Sequence, residues 1–182
     1  MSPQRLPRAL AFSAIFALAC ALLVFVEWLR IPAPVKLVEV GTVHWGRDFD
    51  LTRLRAKVSG KPMFVLFQET PGCKGCRKFG SEVLSDPEIV KAIEDNFTPL
   101  LISNSLPGRD AEIVKRYGEP SWNYQVVRFL NSDGVDLIPR EDHVWTSSAL
   151  AARMVSALEK SGRPVPETLK SRAASVTAPA KT

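Results

Sequence analysis

Apolar and polar positions along this chain follow two periods, and the breaks between them mark its elements. The first feature is a run of 18 residues without a charge, Ala9 to Val26, preceded by Arg5 and Arg8 and followed by Glu27, Trp28 and Arg30. As a helix the run would span about 27 Å at ~1.5 Å per residue, close to the ~30 Å of a hydrocarbon core. A cleaved export signal has a shorter apolar region. The run therefore predicts an uncleaved transmembrane anchor over residues 1–30, with lipidation of Cys20 after Ala17-Leu18-Ala19 as the alternative. The leading arginines favour a cytoplasmic N-terminus, which sets the rest of the chain on the outer, oxidising side of the membrane. Residues 31–46, with Pro32 and Pro34, read as a spacer.

Beyond the spacer the pattern becomes that of a folded domain, residues 47–162. Asp48 or Asp50 can cap a helix whose apolar positions Leu51, Leu54 and Val58 recur at helical spacing, and Gly60 stops it. The continuous apolar run Met63 to Phe67 is too short for a helix and predicts a buried strand. A helix follows from about Cys73 to Leu84. Ser85-Asp86-Pro87-Glu88 then caps a second one carrying Ile89, Val90, Ile93 and Phe97. Residues 98–103 predict another buried strand, parallel to the first, and Asp110 to Tyr117 a short helix ended by Gly118. Residues 126–130 and 135–138 around Asp133-Gly134 read as a β-hairpin. Thr146 or Ser147 caps a last helix through Leu150, Met154, Val155 and Leu158. Residues 163–182, rich in Pro, Ala, Ser and Thr, have no period and are expected to be disordered. The order βα, βα, hairpin, α predicts an α/β fold with a mixed sheet covered by helices.

With 46% hydrophobic residues over 182, the chain has the core for one such domain. Its net charge of +5 lies entirely at the ends, +2 in residues 1–30 and +3 in residues 161–182. The stretch between them balances at 17 basic and 17 acidic residues, without the basic stripe that neutralising phosphates requires. Nucleic acid is excluded as a partner.

The feature with chemistry in it is Cys73-Lys74-Gly75-Cys76, just after a predicted buried strand and at the start of a helix. There the first thiol meets the free N–H groups and the positive end of the helix dipole, and Lys74, Arg77 and Lys78 add nearby positive charge. Cys73 is expected to be the low-pKa nucleophile, and Cys76, one turn on, to attack a mixed disulfide formed on it. A structural disulfide here would close a loop too short to restrict the unfolded chain much. A metal site wants about four ligands, and His44 and His143 lie far from the pair in sequence. Two alternatives stay open: a soft-metal carrier, copper above all, using both thiolates, and a noncatalytic interaction module.

Strand, C-x-x-C at a helix start, hairpin and final helix resemble the thioredoxin superfamily over about residues 45–162. KPMFVLF, the cysteine pair and VLSDPEIVKAIEDNFTPLLI are similar to secreted bacterial thioredoxin-like proteins, among them a group with a T-P-G-Cys loop. The resemblance implies a thioredoxin-like fold and a thiol–disulfide oxidoreductase of the bacterial inner membrane, its domain on the periplasmic side. It further implies attack by Cys73, resolution by Cys76, a protein thiol or disulfide as substrate and a redox-recharging partner. No cofactor beyond the redox-active disulfide is implied. Two positions depart from the family pattern. The slot usually held by a cis-proline beside the sulfurs falls at Gln125, with Pro120 five residues earlier, and the buried acid before the cysteines is replaced by Phe67. Proton transfer would then fall to Glu69 or solvent. The segment containing Pro120, Trp122, Asn123 and Gln125 is expected beside the cysteines, with Trp122 as an apolar platform for a partner or as a cap on the core.

Overall fold

A computed structural model describes residues 37–121 and 125–175. The predicted anchor, most of the proline-containing stretch of the spacer, Trp122, Asn123 and Tyr124, and the last seven residues lie outside the described part. No helix among the described residues is long and apolar enough to cross a membrane.

The domain is organised around β1 (Met63–Gln68), all six of whose residues are buried. It pairs in parallel with β2 (Thr98–Ser103) and antiparallel with β3 (Gln125–Leu130), giving a sheet of order β2-β1-β3. A strand with neighbours on both edges and helices on both faces needs apolar residues at every position, which accounts for the unbroken run MFVLF. Alternation divides those residues between two cores. Phe64 and Leu66 point to a larger core built with α2 (Lys74–Glu82), α3 (Pro87–Asn96), α5 (Ser147–Lys160) and α6 (Glu167–Ala174). Met63, Val65 and Phe67 point to a smaller one with α1 (Phe49–Ser59) and α4 (Arg109–Tyr117). The larger core centres on Phe64, whose ring meets those of Phe97 and Phe129 edge-on at 6.0 and 5.3 Å.

The predicted caps are where the sequence placed them. Asp48 accepts from the Leu51 N–H at 2.8 Å. Asp86 accepts from Glu88 and Ile89 at 3.0 and 3.4 Å, and Thr146 from Ala149 at 3.2 Å. Gly118 closes α4 in the left-handed conformation, φ 64°, which glycine adopts without steric cost.

Four expectations are corrected. Leu51, Leu54 and Val58 do not face the core; they are 45, 57 and 82% exposed, while Phe49, Thr52 and Ala56 are buried. The Asp48 cap fixes where α1 starts, and the bulky Phe49 then claims the inward position, so the helical period is correct but its phase is rotated. The hairpin's second strand shrinks to one bridge, Leu130 to Asp136, since Asp136 is drawn into an ion pair with Arg128 at 2.6 Å and Pro139 lacks an N–H to continue a ladder.

The domain also begins earlier and ends later than 47–162. Residues 37–46, expected as part of the spacer, fold onto it. Val38–Val40 form a 3-10 turn against α2, Trp45 donates to the Val40 carbonyl at 2.8 Å, and Gly46 bridges to Leu100 on the edge of β2. Residues 167–174, expected to be disordered, form α6. Its one buried residue, Leu169, joins the larger core with Val165 and Ala173 against it, and Arg172 forms an ion pair with Asp86. A single anchoring leucine leaves no period to read.

The turn at Val38–Val40 lies so close to α2 that a Cβ at Gly80 would overlap the Val38 carbonyl oxygen, whereas one at Gly75 would meet nothing nearer than 3.7 Å. Gly80→Ala is therefore expected to cost ~1–3 kcal/mol through forced separation of the two segments. Gly75→Ala should be neutral or stabilising by up to ~1 kcal/mol through the helix propensity of alanine. Denaturant unfolding of the two variants against the parent protein measures the difference.

Candidate redox site

The loop 69–72 that leaves β1 delivers Cys73 to the N-cap of α2 and is held from two sides. On one side, Thr70 Oγ1 lies 2.5 Å from Ser103 Oγ, the Thr70 N–H donates to Ser105 Oγ at 3.3 Å, and Ser105 Oγ donates to the Thr70 carbonyl at 3.1 Å. On the other, the Gly72 N–H donates to Oε1 of the buried Glu39 at 2.6 Å. Gly72 also has no room for a side chain, since a Cβ there would lie 2.7 Å from Glu39 Cβ and 2.8 Å from Cys76 Cβ. The Thr70–Pro71 peptide bond is cis.

Cys73 occupies the position where helices usually carry Ser, Thr, Asp or Asn, and its sulfur does the same work. It accepts the Cys76 N–H at 3.3 Å. The two sulfurs are 2.9 Å apart; Cys73 is partly exposed and Cys76 fully buried. Their acidities diverge. Burial works to raise the Cys73 thiol, but hydrogen bonds from the Cys76 thiol and from the N–H groups of Cys76 and Gly75 outweigh it and hold Cys73 below its ordinary value. Burial pushes Cys76 up to about 12, assisted by the neighbouring Cys73 and by Glu69. The pair thus shares one thiolate, carried by the sulfur that solvent reaches.

Lys74, Arg77 and Lys78 lie exposed on α2, and Lys78 stands 3.8 Å from Glu82. The groups that lower Cys73 are the Cys76 thiol and the amides of Cys76 and Gly75. Phe67 faces the smaller core against Tyr117 and brings no acid near the sulfurs. The nearby acid is Glu69, whose carboxylate oxygen and the two sulfurs all lie within 4.8 Å of one another. Among the described residues these three form the one cluster of His, Cys, Asp and Glu with metal-ligand spacing. His44 is engaged elsewhere, 2.7 Å from Glu94.

Gln125 occupies the expected slot, directly across from Gln68 in the β1/β3 register. Opposed residues of an antiparallel pair point to the same face. Gln68 donates from Nε2 to the Glu39 carbonyl, so Gln125 looks toward the side on which α2 lies. Both residues are buried, and among the described residues the Gln125 carboxamide has no partner for its nitrogen or its oxygen. Pro120 is fixed by the Asn104 side-chain amide, which donates to its carbonyl at 3.2 Å. Next to it the buried Glu119 accepts from Arg128 at 2.7 Å and Arg140 at 2.9 Å. Trp122 and Asn123, between these anchors and β3, are outside the described residues.

Two residues at the site were not singled out in the sequence. Glu39 was absorbed into the spacer; its one local signal is an acid between two valines, a strand-like or buried context. Trp145, in the loop before α5, lies over Gly75. A Cβ at Gly75 would be 3.7 Å from Trp145 Cη2 and 3.9 Å from Cys73 Sγ. Nothing in local sequence joins positions 75 and 145; only the packing of α5 across the larger core does.

Comparison with known proteins bears on the fold. A family profile described as thioredoxin-like matches residues 44–132. Among solved structures, the DsbH oxidoreductase superposes with a TM-score of 0.53 at 16% identity, covering 70% of this chain and 92% of its own. The C-terminal domain of Neisseria meningitidis DsbD in its oxidised form gives 0.45 at 18% identity, covering 59% and 93%. No curated protein sequence matches significantly. The sheet order, the C-x-x-C pair at the N-cap of α2 and the family match over 44–132 together make this domain thioredoxin-like in fold.

Proposed function

We propose that this protein is a membrane-anchored thiol–disulfide oxidoreductase acting on protein thiols and disulfides at the outer face of a bacterial inner membrane. The observation that carries the catalytic part is the division of labour between the two sulfurs: Cys73 partly exposed and acidified, Cys76 buried with its proton held. The 18-residue uncharged run behind Arg5 and Arg8 supports the anchor.

In the reducing direction the Cys73 thiolate attacks one sulfur of a substrate disulfide and expels the other as a thiolate, forming a mixed disulfide. Cys76 then loses its proton, attacks Cys73 Sγ and releases the second substrate thiol. The protein is left oxidised as the Cys73–Cys76 disulfide, and the two electrons it gave up are held by the two substrate thiols. The oxidising direction is the same sequence reversed. Glu69, on the sulfurs' side of the loop, is the acceptor within reach of the Cys76 proton. A partner dithiol or disulfide of opposite redox state must return the pair to its starting form. A second reading, soft-metal carriage, draws on Glu69, Cys73 and Cys76 as a three-donor set. A bound metal in protein purified under reducing conditions would favour it.

Three measurements check the proposal. Alkylation of the reduced protein by iodoacetamide, mapped by mass spectrometry against pH, should rise and level off below pH 9 with the label on Cys73. Cys76 should stay unlabelled until pH nears 12. Equal labelling of both contradicts the assignment. Glu69→Gln should lower the thiolate titration of Cys73 further, seen by ultraviolet absorbance, because the carboxylate charge opposes a second negative charge beside it. The decisive experiment is the equilibrium reduction potential of the pair in the full chain, by thiol trapping across redox buffers. A depressed Cys73 stabilises the reduced form, so the expected value is more oxidising than about −270 mV. A pair that remains oxidised below about −300 mV with unreactive sulfurs is structural, and the proposal fails.

A further inference from the structure

Beside Cys73 the surface carries an indole that the redox step itself does not use. Trp145 is 41% exposed, and the described residues give its ring N–H no acceptor. Its inner edge is fixed against the buried Phe79, ring planes at 85° and centroids 6.1 Å apart. The loop that carries it is held on both sides, by the buried Val144 before it and by the Thr146 cap of α5 after it. The ring is therefore positioned before any partner arrives.

Gly75 lies beneath, and the absence of a side chain there leaves a notch with the Trp145 ring on one wall and the Cys73 sulfur on the other. The two lie 3.7 and 3.9 Å from the point where a Cβ would sit. An exposed apolar face with an idle N–H donor, next to a nucleophilic sulfur, suits an extended polypeptide. The face takes an apolar side chain, and the N–H takes a backbone carbonyl.

We infer that Trp145 is a specificity-determining residue that selects protein disulfides whose reacting cysteine is flanked by a large apolar residue. The inference rests on the oxidoreductase reading and adds the class of substrate.

The test uses the reduced full chain and two peptide disulfides differing only in the residue next to cysteine, phenylalanine or glycine, with hydroxyethyl disulfide as a small probe. The parent protein is expected to favour the phenylalanine peptide in the second-order rate constant of this single turnover by about 5- to 10-fold, the scale of one aromatic contact. In Trp145→Ala that ratio should fall to near 1, and Trp145→Phe should restore most of it. A ratio between two peptides is insensitive to a general loss of active protein. The inference is overturned if the parent shows no preference, or if Trp145→Ala keeps it. Failure of the parent protein to react with hydroxyethyl disulfide as well as with both peptides would overturn the oxidoreductase reading instead, and this inference with it.

Discussion

A helix that starts on a cysteine has to satisfy its first amides with sulfur, and the consequences of that arrangement run through the redox site. Cys73 Sγ accepts the Cys76 N–H, and the same amides that lack partners within the helix lower its pKa. Continuing α2 by one turn buries Cys76 beneath it, which removes solvent from the second sulfur and keeps its proton on. One backbone decision, the N-cap at residue 73, thus separates an acidified, partly exposed sulfur from a buried one that keeps its proton, using two chemically identical residues.

That decision holds only because the loop before it is clamped. The Thr70, Ser103 and Ser105 hydroxyls fasten it to the end of β2, and Glu39 fastens it from the opposite side through the Gly72 N–H. A carboxylate accepting a backbone N–H is a charge-assisted contact, stronger than the neutral hydroxyl links. It also ties the segment immediately after the N-terminal region to the active-site loop. The tight approach is permitted by Gly72 and Gly80, the two places where a Cβ would collide with residues 38–39.

Opposite the cysteines, the chain enters β3 from a second fixed point. Glu119 is buried between Arg128 and Arg140, and Arg128 also pairs with Asp136 and lies 4.9 Å above the Tyr117 ring. Removing one member of such a buried group leaves an uncompensated charge, which costs far more than an exposed pair would. The network holds the chain at Glu119 and Pro120, ahead of Gln125, whose carboxamide finds no partner among the described residues and stands where thioredoxin-like proteins usually have a proline.

Much of this was legible in the amino-acid order because it is local. Unbroken apolar runs gave β1 and β2, caps at Asp48, Asp86 and Thr146 gave helix starts, and Cys73-Lys74-Gly75-Cys76 following a strand pointed to a thiol pair at a helix N-cap. What stayed hidden depends on residues distant in sequence. The phase of α1 was decided by Phe49 reaching Tyr117 rather than by the leucine spacing, and α6 by a single leucine finding the core. Glu39 and Trp145 lie 34 residues before and 72 residues after Cys73, and no period or motif connects them to it. The sequence determined where the two sulfurs sit, since a dithiol at a helix start is a local arrangement. The tertiary structure decided what surrounds them, because a clamp and an aromatic wall exist only once separate segments are packed together.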